Sequence, residues 1–216
     1  MECPLCNHHP SDFCLKADRR EYWLCSRCCL LFVPPEFFIG SKQEKERYLE
    51  HENSLDNEGY VNMFQKKIDA VKRICPDIRT VLDYGCGYAP VLKTLLERAG
   101  YQADGYDPNF FPRGDSRNEY DLVFSTETFE HFREPGKELA HLVSKITAKG
   151  YLAIMTRFYP TKNETLCRES FGRWYYKRDP THVAFYNERT FSWIARQFDL
   201  EICHSNGTDF IILKKT

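Results

Sequence analysis

Two C-x-x-C pairs lie close to the N-terminus, Cys3 with Cys6 and Cys25 with Cys28. Each pair on a tight turn directs two thiolates to one point, so two turns supply the four sulfur ligands of a tetrahedral Zn²⁺ site. A segment this short has little apolar core, and a bound metal would supply much of its folding energy. The pairs predict a structural zinc ribbon, against a redox pair or coincidental spacing. A closed four-ligand site leaves no open position, so this zinc is not expected to be catalytic.

A glycine turn in segment 81–87 (VLDYGCG) is the second feature with chemical meaning. Glycines let the backbone turn sharply and approach a ligand closely. The helix predicted next directs its free N–H groups at the same place. Asp107 ends the following predicted strand about 20 residues later, where an acid holds ribose hydroxyls in dinucleotide-binding folds. The segment predicts a nucleoside-binding turn, and a glycine turn without a ligand is the alternative.

Two residues beside this turn indicate the kind of nucleoside. Nicotinamide-binding folds favour G-x-G-x-x-G/A, whereas this chain has Pro90 at the last position. Asp83 directly precedes the glycines, and its negative charge suits a cation while repelling a pyrophosphate. The pattern therefore favours a positively charged nucleoside such as S-adenosylmethionine.

Glu127, Glu130 and His131 form a first group of ionisable side chains. We interpret this group as a wall of the active site. A divalent metal site is one alternative, although Mg²⁺ prefers oxygen ligands. A helix start whose acids stabilise the positive end of the helix dipole is the other.

Asp179, His182 and Tyr186 form a second group, which follows the aromatic and basic segment 171–178. After the fifth strand of a parallel sheet, such an insertion lies above the strand ends, where ligands bind. His182 is the favoured general base for an acceptor that must lose a proton, and a buried structural histidine is the competing interpretation. Segment 171–178 would cover an apolar or sugar-like acceptor, or merely pack.

Short apolar runs alternate with helical patterns from residue 78 onward, which predicts an open, mostly parallel α/β sheet. Apolar residues at helical spacing predict helix faces, and Asn187 is placed to cap the last of them. The predicted strands are 80–84, 102–106, 121–125, 151–155, 200–203 and 210–213, and the predicted helix faces are 61–74, 91–99, 139–146 and 191–198.

With these motifs, residues from about 78 to 216 resemble the class I S-adenosylmethionine-dependent methyltransferases. Segment 83–87 resembles their D-x-G-x-G motif, and Asp107 resembles their ribose-binding acid. Segment 127–131 resembles the E-x-x-E-H group after the fourth strand, which is implicated in divalent metal binding in the ubiquinone-pathway O-methyltransferases. Segment 179–183 resembles a D-P-T-H-V motif of one broad subgroup.

The resemblance implies a Rossmann-like methyltransferase sheet and S-adenosylmethionine as its cofactor. The cofactor-binding residues implied are Asp83, Gly85, Cys86, Gly87, Asp107, Pro108 and Thr126. The catalytic candidates are His182, Glu127, His131 and Tyr186.

The segment between Asp107 and Tyr120 departs from the family, because it is too short for a full helix and third strand. We therefore expect a reduced third strand. Asp115 and Ser116 are the local candidates for the adenine-contacting residue, with backbone groups and Phe110 or Phe111 as the alternative.

The chain divides into a zinc ribbon (1–40), a helical connector (41–77) and a methyltransferase domain (78–216). The formal net charge of −1 argues against a nucleic-acid partner, although a local basic patch could be hidden in the average. No apolar run is long enough to span a bilayer, and no secretory signal is visible. In a reducing compartment, cysteines are interpreted as metal ligands or buried thiols rather than as disulfides. A cytoplasmic location is expected, and the sequence does not specify an oligomeric state.

These observations predict transfer of a methyl group to a small-molecule acceptor, such as a sugar, a phenol or a metabolite hydroxyl. One alternative is an RNA or protein methyltransferase whose ribbon recognises the target through basic residues that nearby acids nearly cancel. Another is a non-catalytic module that binds the cofactor. The basic residues are Lys16, Arg19, Arg20 and Arg27.

Overall fold

The computed structural model describes residues 1–50, 53–163 and 165–216. Its strands are β1 (Asp12–Ala17), β2 (Arg20–Leu24), β3 (Leu31–Phe32), β4 (Thr80–Tyr84), β5 (Gln102–Tyr106), β6 (Tyr120–Thr126), β7 (Ile146–Met155), β8 (Thr161–Lys162), β9 (Thr165–Leu166), β10 (Ala184–Phe185), β11 (Leu200–Ser205) and β12 (Phe210–Lys215). Its helices are α1 (Ser41–Leu49), α2 (Glu58–Ile74), α3 (Val91–Arg98), α4 (Pro135–Ser144), α5 (Arg168–Arg173) and α6 (Glu188–Gln197). Short 3₁₀ turns span Pro35–Phe37, Phe129–His131 and Tyr175–Arg178.

A six-stranded sheet in the order β11-β12-β7-β6-β4-β5 forms the centre of the molecule. The pairs β4–β5, β4–β6 and β6–β7 are parallel, while β12 runs antiparallel to both β7 and β11. All six predicted strands are present, and the predicted α/β class with a mostly parallel sheet is confirmed.

Alternating side chains of each strand enter two separate cores, as the twofold repeat of a strand requires. Val81 packs with α2 and α3 on one face, whereas the next residue, Leu82, packs with α4 and α6 on the other. The predicted helix face on α2 is confirmed, because Phe64, Ile68 and Val71 are buried. This helix thereby lies against the sheet on the side of the glycine turn.

The third strand is reduced, as expected: residues 107–119, all of them described, form only one isolated bridge, between Asp107 and Phe111. The loop instead folds back on the outer edge of β5, where a methyl group on Gly114 would overlap the carbonyl oxygen of Gly105. The chain therefore covers this sheet edge with a loop rather than with a further strand.

The predicted helix face 139–146 was wrong at its last residue, Ile146. Helix α4 ends at Ser144, and Ile146 begins β7, where it pairs with Tyr120. Ile146 is fully buried in either role, so its apolar character did not distinguish the two.

The N-terminal segment forms a second sheet in the order β1-β2-β3-β10, whose last strand comes from the insertion after β7. Phe32 pairs with Ala184 and Leu31 with Phe185. Cysteines of the ribbon share one hydrophobic cluster with Leu82 and Leu152 of the central sheet. The ribbon therefore packs as part of the main body. None of the helices in the described part of the chain is long and apolar enough to cross a membrane.

Candidate active site

A cavity of about 550 Å³ opens at the carboxyl ends of β4, β5 and β6. From β4 the chain passes to β5 on one side, and from β5 it crosses to β6 on the other side of β4. Open α/β sheets bind ligands at the point where the strand order reverses in this way. Ten of the eleven residues predicted for cofactor binding or catalysis line this one cavity. They are Asp83, Gly85, Cys86, Gly87, Asp107, Pro108, Thr126, Glu127, His131 and His182.

The glycine turn has the backbone conformation that its sequence predicted. Gly85 and Gly87 have positive φ angles of 84° and 65°, which residues with side chains rarely adopt. The Gly85 N–H donates to the carbonyl oxygen of Tyr106 at 2.8 Å, and the Cys86 N–H donates to the same oxygen at 3.1 Å. A methyl group on Gly85 would overlap the Thr128 side chain. The turn is therefore braced against β5 and the loop after β6.

Asp83 presents an unsatisfied carboxylate oxygen beside this turn. Its Oδ2 accepts a hydrogen bond from the Lys93 backbone N–H at 3.0 Å, while Oδ1 is buried and has no partner among the described residues. Burial raises the pKa of Asp83 to about 7, because the charged form loses its hydration. Such a group suits a cationic ligand, and the ammonium group of S-adenosylmethionine fits this requirement.

Asp107 is fixed by three backbone donors. Its Oδ1 accepts from the N–H groups of Asn109 at 2.8 Å and Phe110 at 3.1 Å, and its Oδ2 accepts from the Gly87 N–H at 3.1 Å. A carboxylate accepts about four hydrogen bonds, so one position is left for a ligand hydroxyl. Asp107 thus links the glycine turn directly to the end of β5.

The predicted adenine contacts at Asp115 and Ser116 are not in the cavity. Asp115 pairs with Lys145 at 2.6 Å, and Ser116 binds the carboxylate of Asp104. Phe110 lines the cavity, and its ring contacts that of Tyr88 at a centroid distance of 6.0 Å. The shortened segment 107–119 therefore contributes the aromatic ring of Phe110 to the cavity, rather than Asp115 or Ser116.

Two carboxyl groups form the opposite wall, the buried Glu130 and the exposed Glu127. Glu130 is fully buried and accepts hydrogen bonds from the Tyr176 hydroxyl at 2.5 Å and the Thr156 hydroxyl at 2.8 Å. Glu127 lies in the left-handed region, with a φ of 49°, and its N–H donates to Met155. Desolvation by the surrounding protein atoms raises the pKa of Glu127 to about 8 and that of Glu130 to about 7, and repulsion from Glu130 adds to the shift at Glu127.

His131 and His182 meet at this wall with ring centroids 4.9 Å apart. The Nδ1 atom of His131 lies 3.2 Å from the carbonyl oxygen of Thr181, and that of His182 lies 2.7 Å from the carbonyl oxygen of Tyr176. A carbonyl only accepts, so each Nδ1 carries the proton and each Nε2 keeps a lone pair. Burial lowers the pKa of both rings, that of His182 to about 3, and so favours their neutral forms.

A cation-binding donor set results from this meeting. One carboxylate oxygen of Glu130 and one nitrogen each of His131 and His182 lie within 4.8 Å of one another. Two imidazoles and a carboxylate, with the second ring nitrogens bonded to carbonyls, suit a transition-metal ion better than Mg²⁺. The sequence had suggested Glu127 as a member, but the described residues place His182 in the set instead.

Tyr186 is the one catalytic candidate that does not line the cavity. It is fully buried, its hydroxyl donates to the carbonyl oxygen of Phe129 at 3.1 Å, and its ring stacks on Phe191. Its place next to a motif made it a catalytic candidate, whereas the structure places its side chain in the core between ribbon and sheet.

Several cavity residues escaped sequence reasoning because they lie in the helices before the sheet, which carry no motif. Tyr48 on α1 donates its hydroxyl to Glu44 at 2.8 Å, and Glu44 pairs with Arg133 at 2.9 Å. Tyr60, in the first turn of α2, also lines the cavity. The helical connector therefore supplies a wall of the site.

The four N-terminal cysteines form a separate centre. Their sulfur atoms lie within 4.8 Å of one another, with Cys3–Cys28 and Cys6–Cys25 separations of 3.5 Å. A tetrahedral site with zinc–sulfur bonds of about 2.3 Å has sulfur–sulfur edges of about 3.8 Å, whereas a disulfide measures about 2.05 Å. The residues fit zinc, and all ten cysteines are free of disulfides.

The backbone treats the two cysteine pairs alike. The Asn7 N–H donates to the Cys3 carbonyl oxygen and the Cys29 N–H to that of Cys25, both at 2.9 Å. Asn7 and Cys29 follow the second cysteine of each pair and both have positive φ, 55° and 58°. Two equivalent tight turns therefore aim the four sulfur atoms at one point.

The titration of Asp83 makes a prediction about stability. Because its folded pKa of about 7 exceeds the ordinary value of 3.8, Asp83 stabilises the fold fully below pH 3.8, and this contribution is lost as the pH rises through about 7. Asp83→Asn should remove this group's share of the trend, about 3 kcal/mol between pH 5 and pH 8, while the raised pKa values of Glu127 and Glu130 leave the remainder. Urea unfolding without cofactor at pH 5 and pH 8 measures both proteins. Parallel pH profiles would contradict the prediction.

Comparison with known proteins bears on the fold and the family. The sequence matches a family model described as a methyltransferase domain over residues 60–205. A search of curated proteins found no match.

The solved structures with this fold include three methyltransferases of low sequence identity. A magnesium protoporphyrin IX methyltransferase from Synechocystis, solved with bound SAH, is 15% identical with a TM-score of 0.52, covering 84% of this chain and 97% of that one. An O-methyltransferase family protein from Burkholderia thailandensis is 15% identical with a TM-score of 0.57, covering 80% and 63%. A SAM-dependent methyltransferase from Aquifex aeolicus is 17% identical with a TM-score of 0.50, covering 79% and 97%.

The family model covers about two thirds of the chain and includes the glycine turn, Asp107 and both histidines of the cavity. The TM-scores of 0.50 to 0.57 show that the three solved structures share the fold of this chain. The chain therefore belongs to the methyltransferase domain family, as an S-adenosylmethionine-dependent enzyme of class I fold.

Proposed function

We propose that the enzyme methylates a small-molecule acceptor bound between the glycine turn and the wall of Glu127, Glu130, His131 and His182. The observation that carries the proposal is the buried, unpartnered Oδ1 of Asp83 beside a braced glycine turn. The acceptor named for one structural neighbour, magnesium protoporphyrin IX, is a small molecule.

The cofactor's parts match the groups on its side of the cavity. Asp83 would bind the ammonium group, Asp107 would accept a hydrogen bond from a ribose hydroxyl, and Phe110 would contact the adenine. S-adenosylmethionine supplies an electrophilic methyl group on a sulfonium ion. Acidic walls favour the sulfonium ion over the product thioether, which carries one positive charge less, and this difference aids product release.

The acceptor must lose a proton if it is a hydroxyl or an ammonium group. Glu127 is the better matched proton acceptor, because its pKa of about 8 lies near neutral pH, where general bases work best. His182 has a pKa of about 3 and is a weak base. We assign to its free Nε2 the task of accepting a hydrogen bond that orients the acceptor.

A second candidate mechanism uses a divalent cation on Glu130, His131 and His182. It is favoured by the 4.8 Å grouping of these donors. A cation there would bind the acceptor oxygen and lower its pKa. The two mechanisms differ in whether activity depends on a divalent cation such as Mn²⁺ at these three residues.

We further propose that the ribbon binds structural zinc and that the protein works in a reducing compartment such as the cytoplasm. We also propose that the chain consists of the ribbon (1–40), the helical connector (41–77) and the methyltransferase domain (78–216). The ten free thiols support the compartment. RNA recognition by the ribbon is less well supported. Of its four basic residues, Arg20 is buried, which leaves Lys16, Arg19 and Arg27 exposed.

Cofactor binding distinguishes Asp107 from Asp115. Asp107→Ala should weaken binding of S-adenosylhomocysteine at least tenfold, because it loses a ribose contact and the brace to Gly87. Asp115→Ala should leave the affinity within twofold, because Asp115 lies outside the cavity. Isothermal titration measures both, and equal losses would argue against this cofactor pose.

Label transfer tests the reaction itself. Extract fractions incubated with the enzyme and methyl-labelled S-adenosylmethionine should yield a labelled small molecule. Glu127→Gln should then lower kcat at least a hundredfold with unchanged cofactor affinity, since it removes the proton acceptor. EDTA should cause no loss of activity that Mn²⁺ restores, and such a loss would establish the metal-assisted mechanism instead. Label in RNA or protein alone would overturn the proposed acceptor class.

Metal analysis tests the ribbon. Purified enzyme should contain one equivalent of zinc, and Cys25→Ser should lose most of it, because three ligands bind much more weakly than four. Cys29→Ser is the matched control and should keep the metal, since Cys29 lies outside the group of four. Zinc-free wild type, or zinc retained in Cys25→Ser, would refute the site.

A further inference from the structure

Arg20 of the ribbon reaches into the wall of the active site. Its side chain is buried, and its Nη1 donates to the carbonyl oxygens of His182 at 3.0 Å and Pro180 at 3.3 Å. Its Nη2 donates to the carbonyl oxygen of Asp179 at 3.1 Å and also to that of Lys177. One guanidinium group therefore gathers four carbonyl oxygens of a six-residue stretch.

This stretch is the turn that carries His182 into the cavity. The 3₁₀ turn Tyr175–Arg178 ends here. Its last carbonyl groups therefore have no N–H partner within the turn, and they favour a cation. The carbonyl oxygen of Tyr176, one residue before the stretch, accepts from Nδ1 of His182 and fixes the ring. Arg20 thus holds the backbone on both sides of the ring that faces the acceptor.

Other ribbon residues brace the same turn. Lys177 is buried and forms an ion pair with Asp18 in the hairpin between β1 and β2. The Tyr22 hydroxyl donates to the carbonyl oxygen of Lys177 at 3.3 Å. From the other side, Arg47 on α1 holds the Asp179 carboxylate with two contacts of 3.0 Å.

A guanidinium group is required for this geometry. Arginine presents five N–H donors in a rigid planar fork, whereas lysine offers three on one atom. Shortening or removing the fork would take away the donor to the carbonyl groups of Pro180 and His182, which is costly away from water. The Lys177 carbonyl group would keep the Tyr22 hydroxyl as a donor, and that of Asp179 would keep the His182 N–H. The contacts go to backbone oxygens, so Arg20 fixes the path of the turn whatever its side chains are.

We infer that the cysteine ribbon holds the acceptor wall in shape, with Arg20 as the positioning residue for His182. The inference rests on the proposed function in one respect, namely that His182 faces the acceptor. It assigns the ribbon a role inside the enzyme body, and it predicts that damage to the hairpin impairs the acceptor side of the cavity while sparing the cofactor side.

The test compares Arg20→Met and Arg20→Lys with Arg19→Met, a neighbouring exposed control. S-adenosylhomocysteine affinity, by isothermal titration, should stay within twofold in all three, because the hydrogen bonds of Arg20 among the described residues all go to residues 177–182. With the acceptor found by label transfer, kcat should fall at least tenfold in Arg20→Met, recover partly in Arg20→Lys and be unchanged in Arg19→Met.

Long-range ¹H–¹⁵N spectra of the histidine rings give a readout that needs no acceptor. His182 should show a single Nδ1–H tautomer in wild type and in Arg19→Met, and a mixed tautomer in Arg20→Met. If wild type fails to bind S-adenosylhomocysteine, the proposed function fails, yet this spectrum still tests Arg20. An unchanged His182 signal together with an unchanged kcat in Arg20→Met would overturn the inference.

If Arg20→Met does not fold, Tyr22→Phe serves in its place. It removes one donor to the Lys177 carbonyl oxygen and keeps the ring that packs on Phe171. A smaller fall in kcat with the same tautomer change is expected. If Tyr22→Phe changed neither kcat nor the His182 tautomer, the inference would be overturned.

Discussion

Burial of carboxyl groups without cationic partners is the constraint on which the cavity depends. Asp83 and Glu130 are almost completely removed from water, and neither has an ion pair with a lysine or arginine among the described residues. A folded protein keeps such groups only where other interactions of the fold outweigh the cost of desolvation. Here the rigid glycine turn and the backbone donors around Asp107 hold that arrangement. The site is therefore organised for a positive charge before any ligand arrives.

The features set by local backbone requirements were predictable from sequence. Gly85 and Gly87 occupy positive φ, and Asn187 caps α6 by accepting from the Thr190 N–H at 2.9 Å. The parallel sheet followed from alternating apolar runs, and strand ends then brought Asp83 and Asp107 together. The glycine turn and the helix cap depend on residues that are neighbours in sequence, and the meeting of Asp83 and Asp107 depends on strand order. Motifs and hydrophobic periodicity can indicate both.

Features set by long-range packing were not predictable. His131 and His182 lie about fifty residues apart, and only the folding of the insertion against the loop after β6 brings their rings together. Tyr186 sits beside a motif yet enters the core, because β10 pairs with the ribbon strand β3. Helices α1 and α2 carry no motif but contribute Tyr48 and Tyr60 to the cavity. Periodicity cannot report which element a side chain will meet.

The loop over the edge of β5 has a consequence for contacts between molecules. Gly114 lies so close to Gly105 that another strand cannot pair there unless residues 107–119 first move away, which would also release the carboxylate of Asp107. The opposite edge, β11, carries the exposed side chains of Ile202 and Cys203 and is not covered in this way. Any strand-to-strand association of two central sheets must therefore run through β11, at the opposite edge of the sheet from β5 and Asp107.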